Sequence, residues 1–261
     1  MGYLRVTLPD GVGLSAFERR DGTGTPLLFI HGNSCDHTFL APQIDHFAER
    51  RTVCAPDLRG HGKSDKPEGD YSFARLADDL AALMEALELP ACVAVGHSMG
   101  GMVALELCAR HPELVAGVAC LDSTLLTPPG RPSRVRSLLE GLRSTAWKGY
   151  FRRYFEAVFE PWDDPSRKEA ILGRMLDTPQ HVVVSLFEQW RLADGAAAVR
   201  ACRVPFLYVA SSRPRTDVVQ LGELSPQLMT GQVVGAGHFL TLEASSQVNA
   251  MLERFLEING L

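Results

Sequence analysis

The stretch CVAVGHSMGGMVALELCARH, residues 92–111, decides the fold that we predict for this chain. It begins with a short apolar run typical of a buried strand and continues at once into a helical pattern. Between the two lies GHSMG (96–100), which matches the pattern Gly-x-Ser-x-Gly. After a strand and before a helix, this pattern predicts a tight, strained turn that lifts the hydroxyl of Ser98 above the helix N-terminus. We therefore expect Ser98 to be a nucleophile.

Apolar runs alternate with helical patterns on both sides of this stretch. Helices are predicted over 73–88, with Ser72 as the N-cap, and over 244–258. The runs predicted as strands lie at 3–8, 13–20, 26–30, 51–57, 92–98, 115–122, 204–211 and 232–237. Strands that are apolar throughout and separated by helices indicate a parallel sheet covered on both faces. We therefore predict the α/β class, with a doubly wound and mostly parallel sheet.

The alternation breaks over residues 124–200, which predict a helical insertion. This segment opens with prolines and carries all three tryptophans of the chain, Trp147, Trp162 and Trp190. We interpret it as a helical cap over the carboxyl edge of the sheet, where open α/β sheets bind ligands. Residues 1–123 and 201–261 would then form the core. The alternative is that the aromatic side chains only pack the interior of the insertion itself.

Composition and charge argue against several classes of function. The 261 residues carry a net charge of −5, which gives no basic surface for nucleic acid or an anionic membrane. No apolar run reaches the roughly 18 residues that a spanning helix needs, and the first residues lack the layout of a signal peptide. The six cysteines contain no Cys-x-x-Cys pair and lie mostly in apolar runs, which favours a reducing compartment and no zinc site. We expect a cytoplasmic protein with a small-molecule substrate and no metal or organic cofactor, and we leave the oligomeric state open.

A base for the serine is predicted near the end of the chain. A serine hydroxyl is a poor nucleophile at neutral pH unless a base lies beside it. The segment VVGAGHF (233–239) supplies His238 just after the last predicted strand, with glycines that let the loop bring the imidazole over the sheet edge. The other seven histidines fall in motifs that shape the backbone or at helix surfaces and ends. We expect His238 to activate Ser98.

Four motifs in this order resemble the α/β-hydrolase superfamily over nearly the whole chain. They are His31-Gly32, DLRGHGKS (57–64), the serine turn and Gly237-His238-Phe239. The resemblance implies an oxyanion hole made of two backbone N–H groups, here those of Met99 and Asn33. Because this fold carries many chemistries, the reaction has to be argued from the site itself.

The acid that would orient His238 has two candidates. In many members of the superfamily it follows the strand that here reads VPFLYVAS, but the expected position holds Arg213. Asp217 lies four residues later, where it also suits a helix N-terminus. Asp122 ends the apolar run 115–122 and would reach the same sheet edge as Ser98, as it does in some branches of the superfamily. We favour Asp122 and keep Asp217 as the alternative.

The preferred reaction is hydrolysis of a carboxylic ester or lactone of a small, largely apolar substrate. Ser98 would attack the carbonyl, His238 would take its proton, and an acyl-enzyme would form and be hydrolysed. The serine argues against the dehalogenase and epoxide-hydrolase members, which need a carboxylate there. A binding module without turnover is a third hypothesis, since such proteins can retain the same residues.

The alternative reaction is cofactor-free dioxygenation of a quinolone-like ring, with His238 as the base. Three features resemble those enzymes: residues 32–37, the acid at 122, and residues 211–214 without the usual acid. Two departures weaken the likeness, because Asn33 stands where those enzymes tend to have an aromatic residue and Met99 where they tend to have histidine. Hydrolysis is therefore the favoured prediction.

Overall fold

A computed structural model describes residues 2–126 and 131–261, the latter without the side chains of 131–135. The proline-rich opening of the predicted cap, 127–130, lies outside the described residues. The strands are β1 Gly2–Thr7, β2 Gly13–Arg19, β3 Leu27–Ile30, β4 Val53–Pro56, β5 Cys92–His97, β6 Val115–Leu121, β7 Phe206–Ala210 and β8 Leu228–Gln232. The α-helices are α1 Ala41–Ala48, α2 Phe73–Ala86, α3 Met99–Arg110, α4 Arg131–Leu142, α5 Trp147–Glu156, α6 Pro165–Met175, α7 Gln180–Leu192, α8 Gly195–Ala201, α9 Val218–Leu224, α10 Leu240–Glu243 and α11 Ser245–Asn259.

The strands form one mixed sheet in the order β1-β2-β4-β3-β5-β6-β7-β8. β1 and β2 pair antiparallel with each other, and β2 also pairs antiparallel with β4. From β4 through β8 every neighbouring pair is parallel. The predicted doubly wound and mostly parallel sheet is confirmed. Its parallel strands all bring their carboxyl ends to one edge, which is where the site forms.

Helices cover both faces of the sheet, as continuous apolar strands require. On one face, α2 and α3 contribute side chains such as Leu80 and Val103 to the larger apolar core. On the other face, α1 and α11 contribute Phe47 and Phe255 to a second core. No helix in the part of the chain that the structure describes is long and apolar enough to cross a membrane.

Five helices, α4 to α8, fill the described part of the chain between β6 and β7. Their aromatic side chains form a third apolar cluster that also includes Phe39 and Phe239 from the segments after β3 and β8. Phe151 and Phe155 pack in this cluster with their ring centroids 4.7 Å apart, whereas Trp162 is 60% exposed. The division of the chain into a core and a cap at residues 123/124 and 200/201 stays a prediction.

The position predicted for the last strand is wrong. The sequence predicted a strand over 232–237, but β8 spans Leu228–Gln232 and a loop follows it. β8 is a half-exposed edge strand without a strong apolar run. The valines that follow it are more apolar, and the strand was predicted there instead. Gly235, inside the predicted strand, adopts a φ of 71° in the left-handed region, so an extended chain does not continue to residue 237. His238 consequently lies on a longer loop than expected.

Candidate active site

Ser98 occupies a strained turn between β5 and α3. Its φ of 55° lies in the left-handed region, which a non-glycine residue rarely adopts. The turn needs glycine on both sides, since a Cβ at Gly100 would lie 2.1 Å from the carbonyl oxygen of Ile30. A Cβ at Gly96 would lie 2.2 Å from the carbonyl carbon of Gly100. The Gly-x-Ser-x-Gly spacing therefore follows from the close packing of this turn.

A chain of hydrogen bonds links Ser98, His238 and Asp122. The Oγ of Ser98 lies 2.9 Å from Nε2 of His238, and Nδ1 of His238 lies 2.7 Å from Oδ2 of Asp122. All three residues are buried, with exposed fractions of 7%, 5% and 0%. With Nδ1 protonated and facing the carboxylate, Nε2 is the ring nitrogen that can accept the serine proton.

The loop that carries His238 is fixed by hydrogen bonds of its backbone. His97 donates from Nε2 to the carbonyl oxygen of His238 at 2.8 Å, and the N–H of His238 donates to Val158 at 3.2 Å. Burial, followed by the neighbouring His238, lowers the pKa of His97 to about 3. His97 is therefore neutral at ordinary pH and adds no positive charge beside the His238 ring.

Asp122 reaches His238 because of the register between two parallel strands. His97 pairs with Leu121, so the residues that follow β5 and β6, Ser98 and Asp122, stand side by side. The second oxygen of Asp122 accepts a hydrogen bond from the N–H of Ser211 at 3.1 Å. Both carboxylate oxygens are thus satisfied within the protein.

The alternative acid, Asp217, is not brought to His238. It caps the N-terminus of α9, where its Oδ1 accepts a hydrogen bond from the N–H of Gln220 at 3.0 Å. Arg213, in the position where the resemblance implies an acid, pairs with the buried Glu160 at 2.6 Å. The loop after β7 therefore ties to the segment after α5 and contributes no carboxylate to the site.

Asn33 and Met99, the residues predicted to form an oxyanion hole, both lie beside Ser98. Met99 is the first residue of α3, and Asn33 lies on the loop after β3 and lines the same cavity as Ser98. The preceding Gly32 passes so close that a Cβ there would lie 3.2 Å from the Cβ of Ser98. In the described residues neither backbone N–H donates to a protein acceptor.

A small cavity of about 20 Å³ opens above these groups. Its apolar wall comes largely from α5 and α7. The lining residues are Asn33, Ser98, Thr124, Tyr154, Phe155, Val158, Phe187, Trp190, Arg215 and His238. Some aromatics of residues 124–200 therefore face the site, while others only pack their own cluster.

The sequence model of the α/β hydrolase fold matches residues 25–170, more than half of the chain. This chain belongs to the α/β hydrolase fold family.

Relatives and solved structures agree with that assignment. A 2-(acetamidomethylene)succinate hydrolase of Mesorhizobium japonicum is 38% identical over 106 residues, 41% of this chain and 38% of the relative. The match thus spans about two fifths of that relative's length. A 3-oxoadipate enol-lactonase of Acinetobacter baylyi is 25% identical over 239 residues, 88% of each chain. The structure of a thermophilic esterase from Thermogutta terrifontis superposes with a TM-score of 0.85 at 24% identity, covering 99% of each chain.

Two features of the site were missed by the sequence analysis of this α/β hydrolase. Thr124 and Arg215 line the cavity, but each lies on a loop that no motif marks. The only available signal is position, because both loops follow strands at the carboxyl edge of the sheet.

A second cluster of ionisable groups, Asp36, His37 and Asp57, lies apart from the cavity. His37 lies at a helix end, as expected, since it begins the short 3-10 helix His37–Leu40. It is also buried, and its Nδ1 lies 2.7 Å from Oδ1 of Asp57. Burial alone would raise the pKa of Asp57, but hydrogen bonds from His37 and Lys63 hold it well below its usual value. One possible ligand atom from each of these three residues lies within 4.8 Å of the other two, close enough to share a metal ion. Because Asp36 also pairs with Arg174 at 2.6 Å, protein donors already occupy these oxygens, and the absence of a metal cofactor stays a prediction.

Proposed function

We propose that this α/β hydrolase cleaves a carboxylic ester or lactone of a small substrate through an acyl-enzyme on Ser98. The observation that carries the proposal is the chain of hydrogen bonds from Ser98 to His238 at 2.9 Å and from His238 to Asp122 at 2.7 Å. It lies at the wall of a small cavity whose remaining lining is largely aromatic and apolar.

In the acylation step, Oγ of Ser98 attacks the substrate carbonyl while Nε2 of His238 takes the serine proton. Asp122 stabilises the imidazolium that forms and holds its Nδ1–H in place. The backbone N–H groups of Asn33 and Met99 donate to the oxyanion, and each such donor is worth about 10²–10³ in rate. The imidazolium then gives its proton to the leaving alkoxide, which releases the alcohol, or opens the ring if the substrate is a lactone.

In the deacylation step, water enters the position of the leaving group. His238 takes a proton from this water, the hydroxide attacks the ester of Ser98, and the acid product leaves as the proton returns to the serine. No metal or organic cofactor is needed at any stage, and we propose none.

The substrate class follows from the walls of the cavity. Tyr154, Phe155, Val158, Phe187 and Trp190 offer mostly apolar surface, which suits the hydrocarbon part of a small molecule. The relative named as an enol-lactonase supports a lactone or ester. Because the relatives reported above are named as hydrolases, they favour hydrolysis over the dioxygenase alternative.

We further propose that the protein acts in the cytoplasm and has no nucleic-acid or membrane partner. All six cysteines are buried free thiols, which supports a reducing compartment. The net charge of −5 supports the second part of the proposal.

The test is hydrolysis of p-nitrophenyl butyrate by the wild type and by Ser98→Ala, with Ser246→Ala on the exposed surface of α11 as the matched control. We expect Ser98→Ala to lower kcat by about 10⁴-fold or more and the control to match the wild type. Rapid quenching followed by mass spectrometry should find a butyryl group on the peptide that contains Ser98. Folded wild type with no turnover, but with oxygen-dependent cleavage of a quinolone that survives Ser98→Ala, would instead establish the dioxygenase.

A further inference from the structure

Arg215 lies at the catalytic cavity without an acidic partner among the described residues. It lines the cavity together with Ser98 and His238, and it is half-buried. In the described part of the chain no carboxylate lies within ion-pair distance of its guanidinium. The residues outside the description, Met1 and 127–130, and the undescribed side chains of 131–135 include no Asp or Glu. The chain therefore offers this cation no carboxylate of its own.

Other arginines near this edge of the molecule contrast with Arg215. Arg213, two residues earlier, pairs with Glu160, and Arg174 of α6 pairs with Asp36. A half-buried guanidinium gains from a bidentate carboxylate partner. At Arg215 that partner has to come from outside the chain.

The cavity around Arg215 is rich in hydrogen-bond donors and contains no acidic residue among the described residues that line it. The side-chain nitrogen of Asn33 is buried without an acceptor in the described structure. Asp122 lies behind the ring of His238, where its two oxygens are used by that ring and by the N–H of Ser211. A ligand that brings negative oxygen atoms matches this imbalance, because unpaired buried donors are costly.

The backbone on both sides of Arg215 is held in place. Ser211 donates from Oγ to the carbonyl oxygen of Arg213 at 2.9 Å. On the other side, the Oγ1 of the buried Thr216 accepts a hydrogen bond from the N–H of Leu126 at 2.9 Å. The loop after β7 therefore presents the arginine from a fixed position, as selective binding requires.

We propose that Arg215 binds a free carboxylate on the substrate, so that the enzyme acts on an ester or lactone that also carries an acid group. The proposal rests on the serine hydrolase function proposed above and narrows its substrate class. The apolar walls contact the hydrocarbon part, Arg215 binds the carboxylate, and Ser98 attacks the second, esterified carbonyl.

The test compares two esters of equal chain length, the p-nitrophenyl monoester of glutaric acid and p-nitrophenyl pentanoate. We expect the wild type to prefer the charged ester in kcat/KM, and Arg215→Gln to lower the ratio of the two values by about 10- to 100-fold, mainly through KM. Arg215→Lys should retain part of the preference. The control is Arg254→Gln, which removes an exposed arginine of α11 paired with Glu257 and should leave the ratio unchanged.

Inhibition provides a second readout that does not depend on which side of the ester carries the acid. With the neutral ester as substrate, pentanoate should inhibit the wild type more strongly than the neutral pentanamide, and Arg215→Gln should remove that difference. A wild type without preference for either charged compound, or a preference that persists in Arg215→Gln, would overturn the proposal. Absence of Ser98-dependent turnover on both esters would instead refute the serine hydrolase function, so the two failures are distinguishable.

Discussion

Replacing Asp122 with asparagine tests the assignment of the acid with little change to the fold. The backbone of Asp122 has a φ of 45°, a conformation that asparagine adopts more readily than most residues. The amide oxygen of the introduced asparagine can still accept the hydrogen bond from Ser211, which now measures 3.1 Å. The amide nitrogen would then face His238 in place of the carboxylate oxygen at 2.7 Å.

The expected loss follows from the proton on His238. A donor amide opposite Nδ1 favours the tautomer whose proton is on Nε2, and that nitrogen can no longer accept the proton of Ser98 2.9 Å away. The negative charge that stabilises the imidazolium is removed as well. In serine proteases the same change costs about 10⁴-fold in kcat with the geometry intact. We expect a loss of that order in Asp122→Asn.

The assay is kcat on p-nitrophenyl butyrate, with circular dichroism to verify the fold and Asp217→Asn as the matched control. Asp217 caps α9 through Gln220, so its replacement should leave kcat within about twofold and cost at most about 1 kcal/mol of stability. A large loss of kcat in Asp217→Asn, with Asp122→Asn close to the wild type, would show that the reasoning is wrong.

Two further predictions concern stability. Gly100→Ala should lower the free energy of unfolding by about 3 kcal/mol, since its Cβ would meet the carbonyl oxygen of Ile30 at 2.1 Å. In contrast, Gly222→Ala in α9 should raise the free energy of unfolding by up to about 1 kcal/mol, because no atom lies within 4 Å of its Cβ. Urea unfolding of both variants measures these changes. Burial lowers the pKa of His61 and His97 from 6.5 to about 3, so below pH 6.5 the unfolded chain binds protons that the folded chain does not. The free energy of unfolding should then fall by about 1.4 kcal/mol per pH unit for each histidine as the pH drops from 6 to 4. Urea midpoints across this range measure the slope, and a slope that His61→Gln leaves unchanged would contradict the assignment.

Most of the fold was predictable because the parallel strands are apolar throughout and the serine turn has a rigid geometric requirement. The edge strand β8 was misplaced because half of its surface is exposed and its pattern is weak. His37 begins a short helix, as expected, but its pairing with Asp57 was not predicted, because Asp57 lies 20 residues away in sequence and no local pattern encodes that contact. For the acid, sequence spacing kept two candidates, and only the register of β5 against β6 determines which carboxylate contacts His238.

The place of the acid and the place of Arg215 are linked through the loop after β7. In the proposed catalytic triad of Ser98, His238 and Asp122, the acid follows β6, so the loop after β7 does not need to contribute a carboxylate. It supports Asp122 instead, through the N–H of Ser211, and its two arginines are then available for other contacts. Arg213 forms an ion pair with Glu160, so Arg215 is the arginine of this loop that lines the cavity. An acid at position 213 would stand two residues from Arg215 and would compete with a substrate carboxylate for the guanidinium. A carboxylate-binding arginine after β7 is therefore compatible with an acid after β6, but not with an acid in the usual position after β7.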